Sequence, residues 1–364
     1  MTTTLLTPLQ AGDLSLKNRM VMAPLTRTRA GSTHVPNAMM AEYYSQRASA
    51  GLVMTECTMV AENASAFIAE AGIFNDATLA GWKHVTDAVH AKGGLIMMQI
   101  WHPGRASHSA INGGTQPISS CSKPIRNGST QTPNGKEPYE VPRALRTEEL
   151  PGIVDLFRQA TIRAKAAGFE GVQIHGAHGY LIDQFLRDSP NDRTDAYGGS
   201  MENRARLLLE VADAAIEVFG AGRVALRISP LVPFNDMADS DPAALVQYVA
   251  AQMSARKLAF LELRHEQHDR PAEIALATLA REHFHGVLML NGGFDRTSGE
   301  EAVRSGRADA IVYGKLFIAN PDLVARFRLG DAPLNPLRTA TLYGRGPEGY
   351  TDYPAMSAAG TQDG

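Results

Sequence analysis

Short continuous apolar runs alternate along the chain with longer stretches whose apolar residues recur at helical spacing. The runs are Met20–Pro24, Gly51–Glu56, Leu95–Trp101, Gly171–His175, Val224–Ser229, Phe260–Leu263, Val287–Leu290 and Ala308–Tyr313. Each has the length of a strand. Val172, Ile174, Val224, Leu226 and Ile228 sit in runs that are apolar on both faces, the pattern of a buried parallel sheet. Helical patterns follow most runs, at Pro36–Ser49, Asp76–Ala91, Met201–Phe219, Asp241–Arg256 and Thr297–Ser305. Strands alternating with helices predict βα units. Eight strands close a parallel barrel, so the predicted fold class is α/β, a (β/α)8 TIM barrel.

Two stretches break the repeat. Thr7–Lys17 reads as a hairpin with Gly12–Asp13 near its turn, suited to capping the bottom of the barrel. Residues 103–145, rich in Gly, Pro, Ser and Asn, form a long insertion after the third strand. Such insertions are commonly functional. This one leaves a strand's C-terminal end, so it is expected to be a lid over the catalytic face. The whole chain, 1–364, reads as one domain. Thr147 before Glu148–Glu149 and Ser200 before Glu202 are expected helix caps. The tail, Ala358–Gly364, is expected to fray.

Composition narrows the function. Only two cysteines occur, Cys57 and Cys121, with no CxxC, which excludes a four-cysteine iron–sulfur or zinc site and a disulfide framework. A net charge of −3 with no long basic run argues against nucleic acid as a partner. Met1–Asn18 lacks a signal pattern, and no apolar run reaches membrane length, so a cytoplasmic location is expected.

The most informative segment runs from Ile174 to Leu186, with the residues His175-Gly176-Ala177-His178-Gly179-Tyr180 at its head. It starts at a strand end, which on a barrel faces the site. Three readings are open. The histidines are satisfied members of a polar loop; or they ligate a metal, although no Asp, Glu or Cys completes a shell; or they donate to a developing oxyanion while the Tyr180 phenol supplies a proton.

This segment, followed by Arg193-Thr194-Asp195-Ala196-Tyr197-Gly198-Gly199-Ser200-Met201-Glu202-Asn203-Arg204, resembles the signature of the Old Yellow Enzyme family. Further blocks agree in the family's order: Ala23-Pro24-Leu25-Thr26-Arg27, Gln99-Ile100-Trp101-His102, Arg227-Ile228-Ser229-Pro230, Asn291-Gly292-Gly293-Phe294, Phe317–Leu323 and Gly349–Pro354. The resemblance covers nearly the whole chain. It implies an FMN-dependent ene-reductase, with tightly held, non-covalent FMN and NADPH or NADH as hydride donor. Hydride goes to the β-carbon of an activated alkene: an unsaturated ketone or aldehyde, a maleimide or a nitroalkene. Nitroesters and nitroaromatics are further oxidants. His175 and His178 bind the substrate oxygen and Tyr180 protonates the α-carbon; as a phenol, it is protonated at neutral pH.

The resemblance also assigns the cofactor site. Gln99 offers an amide donor and acceptor to the flavin's pyrimidine edge. Arg227 faces the charge that gathers near N1–O2. Thr26 bonds O4, its alternative being a turn cap. Backbone at Pro24, Leu25 and Cys57 lines the ring. Gly292 and Gly293 after strand seven, and Gly314 and Lys315 after strand eight, hold the phosphate, with a helix N-terminus adding its dipole. Lys315 departs from the family's usual arginine and loses the bidentate fork. Trp101 and Tyr353 are pocket walls; Phe67 is either a wall or plain packing. Relatives are monomers, dimers or larger.

His265 and His268 fall in a loop, Arg264–Arg270, that lacks the family's Glu-Pro pattern and is expected to be solvated. Arg193, Asp195, Glu202 and Arg204 are expected to form a structural ion-pair network. The rival classes are a sugar-phosphate isomerase or aldolase, a non-catalytic flavin module and the larger dienoyl-CoA reductase. The first has no use for Gln99, Arg227 and Thr26 together. The second has no use for an intact His/His/Tyr set, and the third needs cluster cysteines.

Overall fold

The computed structural model describes residues 4–356, so the tail expected to fray lies outside the described residues. The eight apolar runs form the strands β1 (Met20–Met22), β2 (Leu52–Met59), β3 (Ile96–Trp101), β4 (Val172–Gly176), β5 (Val224–Ile228), β6 (Phe260–Arg264), β7 (Val287–Asn291) and β8 (Ala310–Tyr313). Each pairs in parallel with the next, and β8 returns to β1, closing the barrel. Around it lie α1 (Ala38–Gln46), α2 (Asp76–His90), α3 (Leu150–Ala166), α4 (Met201–Phe219), α5 (Pro242–Ala255), α6 (Pro271–His283) and α7 (Arg296–Arg304). After β8 come two short helices, Lys315–Ala319 and Leu323–Leu329. No helix among the described residues is long and apolar enough to cross a membrane.

Side chains alternate across each strand. The lower interior is apolar, with Met97, Ala225, Phe260 and Met289 packed on Leu14 and Leu16 of the N-terminal hairpin. That hairpin pairs Leu9–Ala11 with Leu14–Leu16, and its turn is anchored by Asp13 N donating to Gly222 O. Two residues further along the same strand faces stand Gln99, Arg227 and Glu262, so a polar layer lies directly above the apolar one. Strand β2 runs past its expected end at Glu56 because a bulge interrupts its register between Met54 and Cys57. Bulges cluster beside functional sites, where they re-aim side chains.

The insertion at 103–145 has its own structure. It holds a short turn of helix at Ser109–Ile111, a hairpin of Ser129–Thr132 with Gly135–Pro138, and a parallel pair of Ile118–Ser119 with Arg143–Ala144. Its Ala106, Ile125 and Tyr139 pack against Trp101 and Tyr180 at the C-terminal end of the barrel.

Two local expectations are corrected and a third holds. The Thr147 hydroxyl does not cap a helix; it bonds Asp195, and the Glu149 carboxylate accepts from Arg146 N instead. Ser200 does cap α4, accepting from Asn203 N. The expected four-residue ion-pair network divides into Arg193–Asp195 and Arg204–Asp239, with Glu202 exposed in the first turn of α4.

The chain's last part returns to its first loop. Arg27 donates to the carbonyls of Leu342 and Gly349, and Arg29 to those of Leu342, Thr341 and Glu348. Arg47 donates to Tyr350 O, and the Tyr350 ring stacks on Tyr43 at 3.9 Å. Below this clasp Glu56 is fully buried, 3.4 Å from both Tyr44 OH and Arg27 N. Burial pushes its carboxyl up to about 7. A folded pKa above the unfolded one gives stability present in acid and lost as pH rises through the folded value. Unfolding in urea at pH 5 and pH 8 is therefore expected to show wild type losing on the order of 1–3 kcal/mol relative to Glu56→Gln over that interval. A difference independent of pH would refute the assignment.

Candidate active site

Strand β4 ends at Gly176 and delivers its histidine to the mouth of the barrel. His175 is buried, and its Nδ1 accepts from Ala177 N at 3.3 Å. Burial, followed by the nearby Arg227 guanidinium, holds its pKa well below the usual range. The ring is therefore neutral, with Nδ1 engaged as an acceptor, so the hydrogen resides on Nε2 and points the donor function outward from the loop. His178 lies 5.6 Å from it, centroid to centroid, and is also held neutral by burial and Arg227.

The backbone carrying His178 is unusual. Its φ is +56°, a region seldom taken by residues other than glycine. The turn is pinned by His178 N donating to Ser229 Oγ at 2.8 Å and by Asn235 Nδ2 donating to His178 O at 2.9 Å. At the next residue, Gly179, φ is +71°, and a Cβ would come within 2.6 Å of Met237 Cγ and 3.0 Å of Phe234 O. Only glycine fits there. The short helix Leu181–Leu186 supplies the braces. Asp183 accepts from Gly179 N, and Gln184 donates to Gly179 O and Pro103 O while accepting from Arg105 N and Ser119 Oγ. Gln184 thereby ties the His175–Tyr180 loop to the insertion.

Tyr180 is 7% exposed. Its ring stands edge-on to His175 at 5.0 Å and to Trp101 at 5.1 Å. Burial raises its phenol pKa well above 10, so the hydroxyl keeps its proton at any physiological pH. Among the described residues no three His, Cys, Asp or Glu side chains gather to hold a metal ion.

Beneath these rings lies a chain of buried polar side chains. Gln99 Nε2 donates to Gln173 Oε1 at 2.8 Å, and Gln173 Nε2 donates to Glu262 Oε2 at 2.8 Å. Glu262 Oε1 lies 3.0 Å from Arg227 Nε, close enough for an ion pair, although the N–H is not aimed along that line. The amide donor expected of Gln99 is thus spent on Gln173. Its carbonyl oxygen and the terminal nitrogens of Arg227 have no hydrogen-bond partner among the described residues. Across the barrel mouth, Thr26 Oγ1 is 2.8 Å from Cys57 Sγ; burial keeps that thiol protonated. This donor and acceptor set fits a planar heterocycle with a mixed edge, as FMN has. Pro24 is buried beside it, and Leu25 packs on the interior cluster.

At the ends of β7 and β8, which are neighbours, stand Gly292, Gly293, Gly314 and Lys315. A Cβ on Gly292 would meet His265 O at 2.8 Å, whereas Gly293, at φ +76°, faces open space. Lys315 is exposed and enters no salt bridge among the described residues. The helix dipole expected here is already answered at α7, where Asp295 accepts from Ser298 N. The helix following Gly314 has only a single turn, Lys315–Ala319.

Contrary to expectation, the Arg264–Arg270 loop is not solvated throughout. His265 is 2% exposed and donates its backbone N–H to Asn291 O; His268 N donates to Gly292 O. The glycine at 292 lets this loop close on β7. Burial brings the His265 pKa down to about 3.

The aromatic walls fall into two groups. Phe67 lies 6.0 Å from Trp101 and 6.2 Å from Tyr343, joining the Trp101–Tyr180 group. Tyr353 belongs to a different group, with Ile318 and Ala319, and its hydroxyl accepts from Arg338 N. Sequence reasoning missed Tyr343, and also Gln173 and Glu262. A polar residue inside an otherwise apolar strand, Gln173 between Val172 and Ile174, was the available signal.

Comparison with known proteins agrees with this geometry. Residues 4–332 match the model of the NADH:flavin oxidoreductase / NADH oxidase family. A probable flavin mononucleotide-dependent alkene reductase of Leishmania infantum is 47% identical over 363 residues, covering 97% of each chain. The 12-oxophytodienoate reductase 1 of Oryza sativa subsp. japonica is 46% identical, covering 97% of this chain and 93% of that one. Among solved structures, morphinone reductase in complex with tetrahydroNAD superposes with a TM-score of 0.94 at 43% identity, covering 99% of this chain and 100% of that one. The Old Yellow Enzyme homologue of Zymomonas mobilis gives 0.93 at 42% identity, covering 97% and 100%. The chain therefore belongs to the NADH:flavin oxidoreductase family of Old Yellow Enzymes, and is an FMN-dependent oxidoreductase that draws on a nicotinamide cofactor.

Proposed function

We propose that this chain, as one domain with a lid at 103–145, reduces activated alkenes: unsaturated ketones and aldehydes, maleimides and nitroalkenes, with nitroesters and nitroaromatics as further oxidants. The reading rests above all on the group His175, His178, Tyr180 and Trp101, in which two neutral imidazoles and one protonated phenol meet at the barrel mouth. Bound FMN supplies two-electron transfer between nicotinamide and alkene, which take turns in one pocket. Gln99 and Arg227 meet its pyrimidine edge, Thr26 and Cys57 flank the ring, and backbone at Pro24 and Leu25 lines it. Gly292, Gly293, Gly314 and Lys315 hold the phosphate, with one lysine charge in place of a guanidinium fork.

The chain's own residues divide the remaining work. His175 Nε2 and His178 donate to the carbonyl or nitro oxygen, drawing electron density from the double bond. Neutral donors suit this task, since an imidazolium beside Arg227 would place two cations in one desolvated site. Tyr180 gives its proton to the α-carbon. Phe67, Trp101 and Tyr343 form the apolar wall.

Anaerobic titration tests the reading. The FMN-loaded protein is expected to lose its visible absorbance on addition of NADPH and to regain it on addition of 2-cyclohexenone. Bleaching without recovery by any enone, maleimide or nitroalkene would refute the alkene reading.

A further inference from the structure

We infer that Glu262 is the positioning residue of the flavin edge, setting both the direction of the Gln99 amide and the net charge beside Arg227. This rests on the reading that Gln99 and Arg227 face the ring. Glu262 is fully buried inside the barrel on β6. It touches both proposed edge contacts, Gln99 through Gln173 and Arg227 directly.

Direction follows from hydrogen-bond chemistry. A side-chain amide can present either end to a neighbour, but a carboxylate only accepts. Gln173 must therefore turn its NH2 to Glu262 and its carbonyl to Gln99. Gln99 must then spend an N–H on Gln173 and keep its carbonyl free. A glutamine at 262 would accept either orientation of the whole chain.

Charge follows from the neighbours. Two guanidiniums surround this carboxylate. Arg227 is paired with it, and Arg264, on the same strand face two residues further on, feels the attraction of Glu262 and the repulsion of Arg227. Arg264 Nη1 is buried with no hydrogen-bond partner among the described residues. The three side chains carry a net +1 at the ring edge. In a desolvated interior such charges act strongly on one another. Two-electron reduction of bound FMN adds negative charge at that edge, so the carboxylate opposes reduction and the arginines favour it.

Glu262→Gln keeps the size and an acceptor for Gln173 while removing the charge. In the FMN-loaded variant, dye-equilibration titration is expected to show the reduced-to-oxidised ratio at a given potential rising at least tenfold, about 30 mV for a two-electron couple. Glu262→Asp, which retains the charge, is expected to stay near wild type. A Gln variant with an unchanged or lower potential overturns the proposal, as does an equal rise in both variants, which would trace the effect to shape. Arg227→Gln provides the separate arm and is expected to lower the potential. A flat Glu262→Gln beside a lowered Arg227→Gln defeats the role of Glu262 and leaves the ring-edge reading standing. Flat results in both defeat the ring-edge reading itself.

Discussion

Tyr180→Phe is expected to slow oxidation of the reduced protein by an enone about 10²–10⁴-fold, the usual worth of a positioned general acid. Reduction by NADPH should stay within about a factor of two, because that half-reaction needs no proton from the phenol. The substitution is conservative. Phenylalanine keeps the edge-on packing against His175 and Trp101, and the hydroxyl it removes makes no hydrogen bond among the described residues. No buried partner is orphaned, so a change in rate reports on the proton alone. Stopped-flow absorbance on each half-reaction is the measurement. Equal losses in both would assign Tyr180 to pocket shape and leave the proton to solvent.

The double variant His175→Ala, His178→Ala is expected to weaken binding of a phenol ligand to the oxidised protein by about 10²-fold or more. Two donors to a charged oxygen are worth roughly 1.5–3 kcal/mol each. The substitutions leave FMN contacts intact, so flavin content serves as the control for folding. His178 sits at φ +56°, a backbone that asparagine tolerates better than most residues. His178→Asn alone should therefore restore most of the affinity lost at that position. A double variant binding phenol as tightly as wild type would remove the clamp from the mechanism.

Much of this was legible in the sequence because buried parallel strands read as short, largely apolar runs. Val172, Ile174, Val224, Leu226 and Ile228 announced their strands that way, and the boundaries moved by only a residue or so. Strand β2 was cut short because a bulge has no signature in hydrophobic periodicity; Thr55, Glu56 and Cys57 read as the end of a strand rather than its deformation. The grouping of His175, His178 and Tyr180 was legible because the three side chains share one strand-end loop, while their proposed roles came from the resemblance. Glu262 and Gln173 were not, since their partnership spans 89 positions and exists only once the barrel closes. The loop after β6 was misjudged for a similar reason. Its polar letters suggested water, but Gly292 admits the backbone of His265 at close range. Tyr343 gave no signal at all, lying far along the chain from Phe67, the ring it stacks on.

The return of residues 341–350 to the first loop has a bearing on the order of synthesis. Arg27, Arg29 and Arg47 leave the ribosome hundreds of residues before the carbonyls that receive them. Until Leu342 and Gly349 emerge, Arg27, next to Thr26, lacks most of the carbonyls its guanidinium binds, whatever the state of the barrel behind it. The family match ends at residue 332, short of those carbonyls. A transcript truncated at that limit would encode His175, His178 and Tyr180 and still leave the guanidiniums of Arg27 and Arg29 without most of their acceptors.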